Sequence, residues 1–146
     1  MEDLLEEAYS ERNLPLPTRY PLQYWAMLTF FASPLLWLSP STLSESLRKE
    51  LGEIMRIQRK YRDFWRQSII YPVGSRPDGT SISGLYAESG WLLVFREINA
   101  QASTRLSLPP FEKAECIYSI GAATLEADGT IRMDAPASAA LFKIQK

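Results

Sequence analysis

Residues 71–99, YPVGSRPDGTSISGLYAESGWLLVFREIN, decide how the second half of the chain folds. Their most apolar part, residues 91–98, indicates a buried strand near the centre of a sheet. Upstream, residues 80–87 alternate as a strand does. The preceding RPDG, residues 76–79, places proline and glycine where a tight turn needs them. This stretch therefore predicts strands joined by short turns.

Strand and turn signals continue from there to residue 144. Asp128-Gly129, between Leu125 and Ile131, is a strong hairpin signal. Pro72 places the first strand at a sheet edge or at a strand start, because proline cannot donate to the ladder. About seven short strands with no helix between them predict an antiparallel β-sandwich over residues 69–146. The expected strands lie in residues 69–73, 80–87, 91–98, 103–108 and 115–122, on both sides of residues 128–129, and in residues 139–144.

Ahead of residue 69 the periodicity is helical. From Leu43 to Trp65 apolar side chains recur at the spacing of a helix with one buried face. Thr42 and Glu45 match a capping box that predicts its start, and its end is expected near Gln67. Residues 22–33 read equally as a helix or a buried strand, and residues 2–12 as a short acidic helix. The fold class is therefore predicted as α+β, with a helical segment over residues 1–68 before the sandwich.

Composition and charge exclude several functional classes. The 146 residues are 46% hydrophobic, as in a folded protein of about one domain. With 16 basic and 17 acidic residues the net charge is −1, and the basic residues at 56–66 are interpreted as a solvated helix face. A nucleic-acid partner is not expected. The absence of histidine removes the commonest general base and most zinc sites, so no metal or other cofactor is predicted.

Compartment and membrane signals are weak. No secretory signal is visible at the N-terminus, which slightly favours the cytoplasm without settling the location. Residues 22–38 form an uncharged run of 17 residues, the lower edge of a spanning helix. Pro34 and several polar side chains argue for a buried core segment instead.

Cys116 has no cysteine partner, and its apolar surroundings predict a buried, inert thiol.

Several segments follow one another in an order that resembles a known family. The run from Gly90 to Glu97, GWLLVFRE, is the strongest of them. Together they resemble the C-terminal end of the clan-D glycoside hydrolases, the α-galactosidase group of family 36, over residues 20–144. The segments are SPLLWLSP at 33–40, RKYRDFW at 59–65, IIYPVGSRPDG at 69–79, GLYAESGWLLVFREIN at 84–99, ADGTI at 127–131 and PASAALFKI at 136–144.

The resemblance implies a role without catalysis for this chain. In that family a TIM barrel carries two catalytic carboxylates, with the nucleophile in a Lys-Trp-Asp context, and a small antiparallel sandwich follows the last barrel helix. This sequence lacks that tripeptide, and a whole barrel takes about 250 residues. Residues 1–68 would resemble the last barrel unit. The chain alone would be inactive and would stabilise a barrel that it does not contain. Its implied partners are that barrel or a second copy of the chain, and a galactoside or another sugar.

Trp37 is the candidate substrate-binding residue. The resemblance places it after the last barrel strand, where barrel active sites lie, and an indole face stacks well on sugar C–H groups. Trp25 is a weaker candidate of the same kind. For both, a core or subunit contact is the alternative. No catalytic residue and no metal ligand is predicted.

Other conspicuous residues have structural interpretations. Arg96 and Glu97 are strand neighbours that point to opposite faces, so separate ion pairs or hydrogen bonds at the sandwich rim are expected. Asp78 and Asp128 each precede glycine and suit turns. A sugar-binding platform of Trp91 and Tyr86 competes with packing of those rings in the core. Exposed, they would fit a second hypothesis, a free-standing or membrane-anchored β-sandwich module that binds carbohydrate or protein.

Overall fold

The computed structural model describes residues 19–32, 40–98 and 101–145. These ranges hold two α-helices followed by eight β-strands. The predicted helix at residues 2–12 lies outside them. The elements are α1 (Leu22–Leu28), a 3-10 turn (Pro40–Thr42), α2 (Glu45–Arg66), β1 (Ile70–Gly74), β2 (Ile82–Ala87), β3 (Trp91–Arg96), β4 (Ser103–Arg105), β5 (Lys113–Ser119), β6 (Ala123–Leu125), β7 (Thr130–Met133) and β8 (Ser138–Gln145).

The strands form two antiparallel sheets. The larger has the order β1-β2-β3-β8-β5, and the smaller has the order β4-β7-β6. The predicted α+β class with an antiparallel sandwich is confirmed, and the eight strands in the described ranges agree with the predicted number of about seven. The predictions that β3 is central and that β1, with Pro72, is an edge strand are also confirmed.

The central strands of the larger sheet, β3 and β8, are buried on both faces, which explains the continuous apolar sequence of β3. Alternate side chains of a strand point to opposite faces, so Trp91, Leu93 and Phe95 pack towards the helices. Leu92 and Val94 pack towards the smaller sheet. The molecule therefore has three layers, in the order helices, larger sheet, smaller sheet. β8 repeats the pattern, with Ala139 and Leu141 on the helix side and Ala140, Phe142 and Ile144 on the other.

Helix α2 begins two residues later than a Thr42 cap would place it. Ser44 is the N-cap, and its hydroxyl accepts a hydrogen bond from the Leu47 amide at 3.3 Å. The predicted capping box of Thr42 and Glu45 is wrong because Thr42 belongs to the 3-10 turn before the helix. Glu45 is instead the first helical residue, where its negative charge suits the helix dipole. The predicted end is confirmed, since Gln67 is the C-cap.

The two faces of α2 differ as the sequence predicts. Leu51, Ile54 and Trp65 are buried against the sheet. The predicted solvated face is confirmed, because the basic side chains between residues 56 and 66 lie outside. They are Arg56, Arg59, Lys60, Arg62 and Arg66, all exposed.

Trp65 is the centre of the contact between helices and sheet. Its side chain is 1% exposed and stacks on Phe30, with ring centroids 5.7 Å apart. It also meets Trp91 of β3 edge-on, at 5.6 Å and 85°. Because edge-to-face and offset rings attract one another, this cluster adds to the burial energy. The helical and β parts therefore share one hydrophobic core.

Between Leu22 and Leu28 the ambiguous apolar segment is a helix. In this helix the side chains of Tyr24, Ala26 and Met27 are buried, while those of Trp25 and Leu28 are partly exposed. Among the described residues, no helix combines the length and the hydropathy needed to cross a membrane.

Cys116 does not lie where the sequence predicts. Its side chain is exposed, because β5 is the edge strand of the larger sheet and part of its face lies open. Partial desolvation nevertheless raises the pKa of the Cys116 thiol. Hydrogen bonds with Ser119 and with the Tyr118 backbone lower this pKa, but by less than desolvation raises it. The predicted burial is wrong, but the raised pKa disfavours the reactive thiolate.

Candidate functional site

A groove of about 760 Å³ lies between α1 and the edge of the larger sheet. Tyr24, Trp25 and Leu28 of α1 form one wall, and residues 72–79 form another. Residues of β2 and the ring of Phe95 form the floor. The short helix α1, of seven residues, and the small residues Ser83 and Gly84 of β2 leave room for the groove.

Aromatic rings line this groove in a continuous wall. The centroids of Tyr20 and Tyr24 lie 4.7 Å apart. The indole of Trp25 stands at 69° to the Tyr20 ring and at 83° to the Tyr24 ring. Tyr24 in turn meets Phe95 at 5.4 Å. Trp25 is 40% exposed and Tyr20 is half-buried, so these two rings offer accessible surface.

Glu97 brings a carboxylate to the same groove. It is 8% exposed, and its Oε2 accepts hydrogen bonds from the amides of Gly79 at 2.8 Å and Ser81 at 2.9 Å. The Ser81 hydroxyl donates at 2.8 Å and the Asp78 amide at 3.1 Å. All four bonds fall on Oε2, and none of the donors is a cation. Among the described residues no hydrogen bond uses Oε1.

The charge of Glu97 extends to the aromatic wall. Burial is the largest cause that raises the pKa of Tyr20 and of Tyr24. The next cause is Glu97 for Tyr20 and Tyr20 for Tyr24, and Glu97 adds to the raised pKa of Tyr24 as well. For Tyr20 a hydrogen bond with the Ile98 backbone acts in the opposite direction. The phenols are therefore neutral at physiological pH and lie in a negative potential.

Two further charged side chains lie along the groove. The Asp78 carboxylate accepts from the Thr80 amide at 2.9 Å and from its hydroxyl at 2.8 Å. These bonds lower the pKa of Asp78. Arg76 is exposed on the same loop. Gly79 adopts the positive φ of 91° that the predicted turn requires.

Arg96 serves the opposite side of the sheet from Glu97. Its guanidinium Nη1 donates to the carbonyl of Met133 and, at 2.9 Å, to that of Asp134. The prediction of opposite faces and separate hydrogen bonds is confirmed. The two residues therefore do not form one catalytic pair.

The tryptophan candidates have different outcomes. Trp37 lies outside the described residues, so its predicted sugar contact stays a prediction. Trp25 lies in the groove. The platform of Trp91 and Tyr86 is wrong, because they are 0% and 4% exposed, and the alternative of core packing is confirmed. The ammonium of Lys143 lies 4.5 Å from the Trp91 ring centroid.

The sequence prediction did not bring Tyr20, Tyr24 and Glu97 together. One signal for Glu97 was present: Phe95 and Glu97 are two residues apart in an extended segment, so both point to the helix side. The Tyr20 and Tyr24 spacing of four gave no such signal, because a helix start between them was not evident. Their convergence on Glu97 depends on tertiary packing.

Comparison of the chain with protein-family models, curated proteins and solved structures found no match. Within the described ranges, no three histidine, cysteine or acidic side chains group closely enough to hold a metal ion. The groove is the candidate site because it combines exposed aromatic rings with the carboxylate of Glu97, whose hydrogen bonds all fall on Oε2.

Proposed function

We propose that this chain is the non-catalytic C-terminal region of an α-galactosidase-like glycoside hydrolase, which packs against and stabilises a catalytic barrel. The observation that carries the proposal is the joint aromatic core of α2 and the larger sheet, centred on Trp65 and Trp91. A helix fixed to a sandwich in this way would hold a preceding barrel unit rigidly against the β layers.

The chemistry of the carboxylates agrees with a role without catalysis. A retaining glycosidase needs two carboxyl groups about 5–5.5 Å apart, one as nucleophile and one as acid/base. Glu97 instead holds a turn through four hydrogen bonds. Asp78 and Asp128 bind their own loops through Thr80 and Thr130.

Exposed apolar side chains on the helical half supply a surface for such a barrel. Trp25 and Leu28 of α1 are 40% and 39% exposed, and Phe64 of α2 is 55% exposed. Side chains of this size gain free energy when a partner covers them.

The test is reconstitution with a family 36 α-galactosidase barrel that lacks its own C-terminal region. We expect the chain alone to release no nitrophenol from a nitrophenyl α-galactoside. Co-expression should bring the barrel into a complex and raise its thermal midpoint. The double variant Trp25→Ala, Phe64→Ala, which removes two exposed apolar side chains of the proposed barrel surface, is the matched control and should not do so. Enzyme-like turnover by the chain alone, or failure to associate with the barrel, would contradict the proposal.

The alternative is a free-standing sandwich module that binds carbohydrate or protein. The groove favours it, because an exposed indole beside a carboxylate can recognise a small ligand. Calorimetric titration with galactose and with a galactoside tests the carbohydrate version. Heat of binding that Trp25→Ala abolishes would favour the alternative over the structural role.

A further inference from the structure

Among the residues that the structure describes, the buried carboxylate of Glu97 in the groove has no ionic partner. Glu97 is 8% exposed, and its four hydrogen-bond donors are three amides and one hydroxyl. Among residues 19–32, 40–98 and 101–145, Arg62 and Asp63 form a salt bridge at 3.6 Å, and Glu97 forms none. Removing a carboxylate from water costs free energy that a nearby cation would offset.

The rings beside Glu97 suit the same kind of ligand. The indole of Trp25, which is 40% exposed, stands at 69° to the half-buried ring of Tyr20 with the ring centroids 5.7 Å apart, so the two rings form an angled corner. Aromatic faces attract an organic cation through their quadrupole, most strongly for tryptophan. The negative potential that Glu97 imposes on Tyr20 and Tyr24 acts in the same direction.

The charges along the groove favour a cation over a neutral sugar. Glu97 and Asp78 are acidic and Arg76 is basic, which leaves the lining with an excess of one negative charge. A neutral saccharide would gain from stacking but would bring no cation to Glu97. Arg76, on the exposed loop, would compete weakly with a bound cation.

We propose that this groove binds a small organic ammonium ion, whose head group contacts Tyr20 and Trp25 and pairs with Oε1 of Glu97. Leu28 contacts the apolar remainder of the ligand. This inference goes beyond the proposed structural role and concerns the chain without the barrel, because Trp25 and Leu28 also belong to the surface proposed for the barrel.

The test is a titration of the full chain with choline, followed by NMR chemical shifts and calorimetry. The matched ligand is 3,3-dimethyl-1-butanol, which has the shape of choline with carbon in place of the charged nitrogen. We expect choline to bind in the millimolar range and the neutral isostere at least about tenfold more weakly, a difference of about 1.4 kcal/mol. Equal binding of both ligands, binding of galactose in place of choline, or no binding of choline overturns the proposal.

Variants locate the site. Glu97→Gln should weaken choline binding about tenfold, and Trp25→Ala about fivefold, with the exposed position of Trp25 protecting the fold. Arg76→Ala should strengthen binding about twofold, because a competing charge is removed. The control is Phe64→Ala, which should leave binding unchanged because Phe64 is an exposed ring on α2 that does not line the groove. Unchanged affinity in both Trp25→Ala and Arg76→Ala overturns the proposal even if Glu97→Gln fails to fold.

Discussion

At the scale of single residues, Glu97 links the end of β3 to the turn that precedes β2. One carboxylate oxygen satisfies the amides of Asp78, Gly79 and Ser81. Two of these bonds are buried, where an amide without an acceptor is costly. The residue therefore acts on stability as well as on the groove.

Replacement of Glu97 by alanine should lower the free energy of unfolding by about 3 kcal/mol, because buried amides lose a charged acceptor worth roughly 1–3 kcal/mol each. Glu97→Gln keeps an acceptor oxygen and should cost about half as much. Urea unfolding measures both. Glu126→Gln, at an exposed position, is the control and should change stability by less than about 0.5 kcal/mol. An alanine variant as stable as this control would show that the four bonds contribute nothing.

The two turn aspartates predict a dependence on acid. Hydrogen bonds from Thr80 lower the pKa of Asp78 from its usual 3.8, and those from Thr130, with Arg105 nearby, do the same for Asp128. A carboxyl whose pKa is lower in the folded state stabilises the fold above its unfolded pKa, and this contribution is lost as the pH falls through the folded value. The double variant Asp78→Asn, Asp128→Asn should therefore be less stable than the parent at neutral pH, with the difference shrinking below 3.8. Thermal midpoints across that range measure it, and parallel curves would contradict it.

At the scale of elements, α2 carries the helical half of the molecule. Its 22 residues begin at a serine cap and end beside Trp65, in the aromatic contact with β3. Substitutions at the start of α2 therefore test the contribution of local capping to stability, and substitutions at its end test the contribution of tertiary packing.

Removal of the cap should be a modest change. Ser44→Ala takes away the acceptor for the Leu47 amide and should cost about 1 kcal/mol. Ser44→Asp keeps an oxygen there and adds a favourable charge, so it should be at least as stable as the parent. Chemical denaturation distinguishes the two. Equal losses in both variants would place the cap elsewhere.

Trp65→Ala should be far more severe than Phe64→Ala. Trp65 is 1% exposed inside the aromatic cluster, and its truncation leaves a cavity that costs about 3–5 kcal/mol. Phe64 is its neighbour and is 55% exposed, with the Lys143 ammonium 5.5 Å from its ring, so its loss should cost under about 1 kcal/mol. Calorimetry of both proteins compares them. Similar losses at the two positions would mean that the interface is not packed as described.

Elements that depend on local signals could be predicted from the sequence, and features that depend on tertiary packing could not. The strands and their turns follow from Pro72, Asp128-Gly129 and the alternation of apolar residues, all local signals. The start of α2 was misplaced because two polar residues compete as caps and only the 3-10 turn decides between them. The groove could not be predicted, since Trp25 and Glu97 come to line one groove only when α1 packs across the sheet.

At the scale of the whole molecule, the larger sheet needs a cover on each face. The smaller sheet covers the side of Leu92 and Phe142, and the helices cover the side of Trp91 and Leu141. The proposed role depends on this arrangement, because a barrel unit joined to α2 would be held by the core of the sandwich itself.

A chain limited to residues 69–146 should therefore fail to fold cooperatively, although all eight strands are present. Without the helices Trp91, Leu93 and Leu141 become exposed, and burial of such side chains contributes about 1.5–3 kcal/mol each. That loss is comparable with the roughly 5–15 kcal/mol that stabilises a whole domain. Circular dichroism and thermal unfolding should show no sharp transition, and a separate chain of residues 19–68 added in excess should restore it, because a partner that binds only the folded state stabilises that state. Cooperative unfolding of residues 69–146 alone would instead mean that the helices are an addition to a self-sufficient sandwich, and the barrel-supporting role would lose its structural basis.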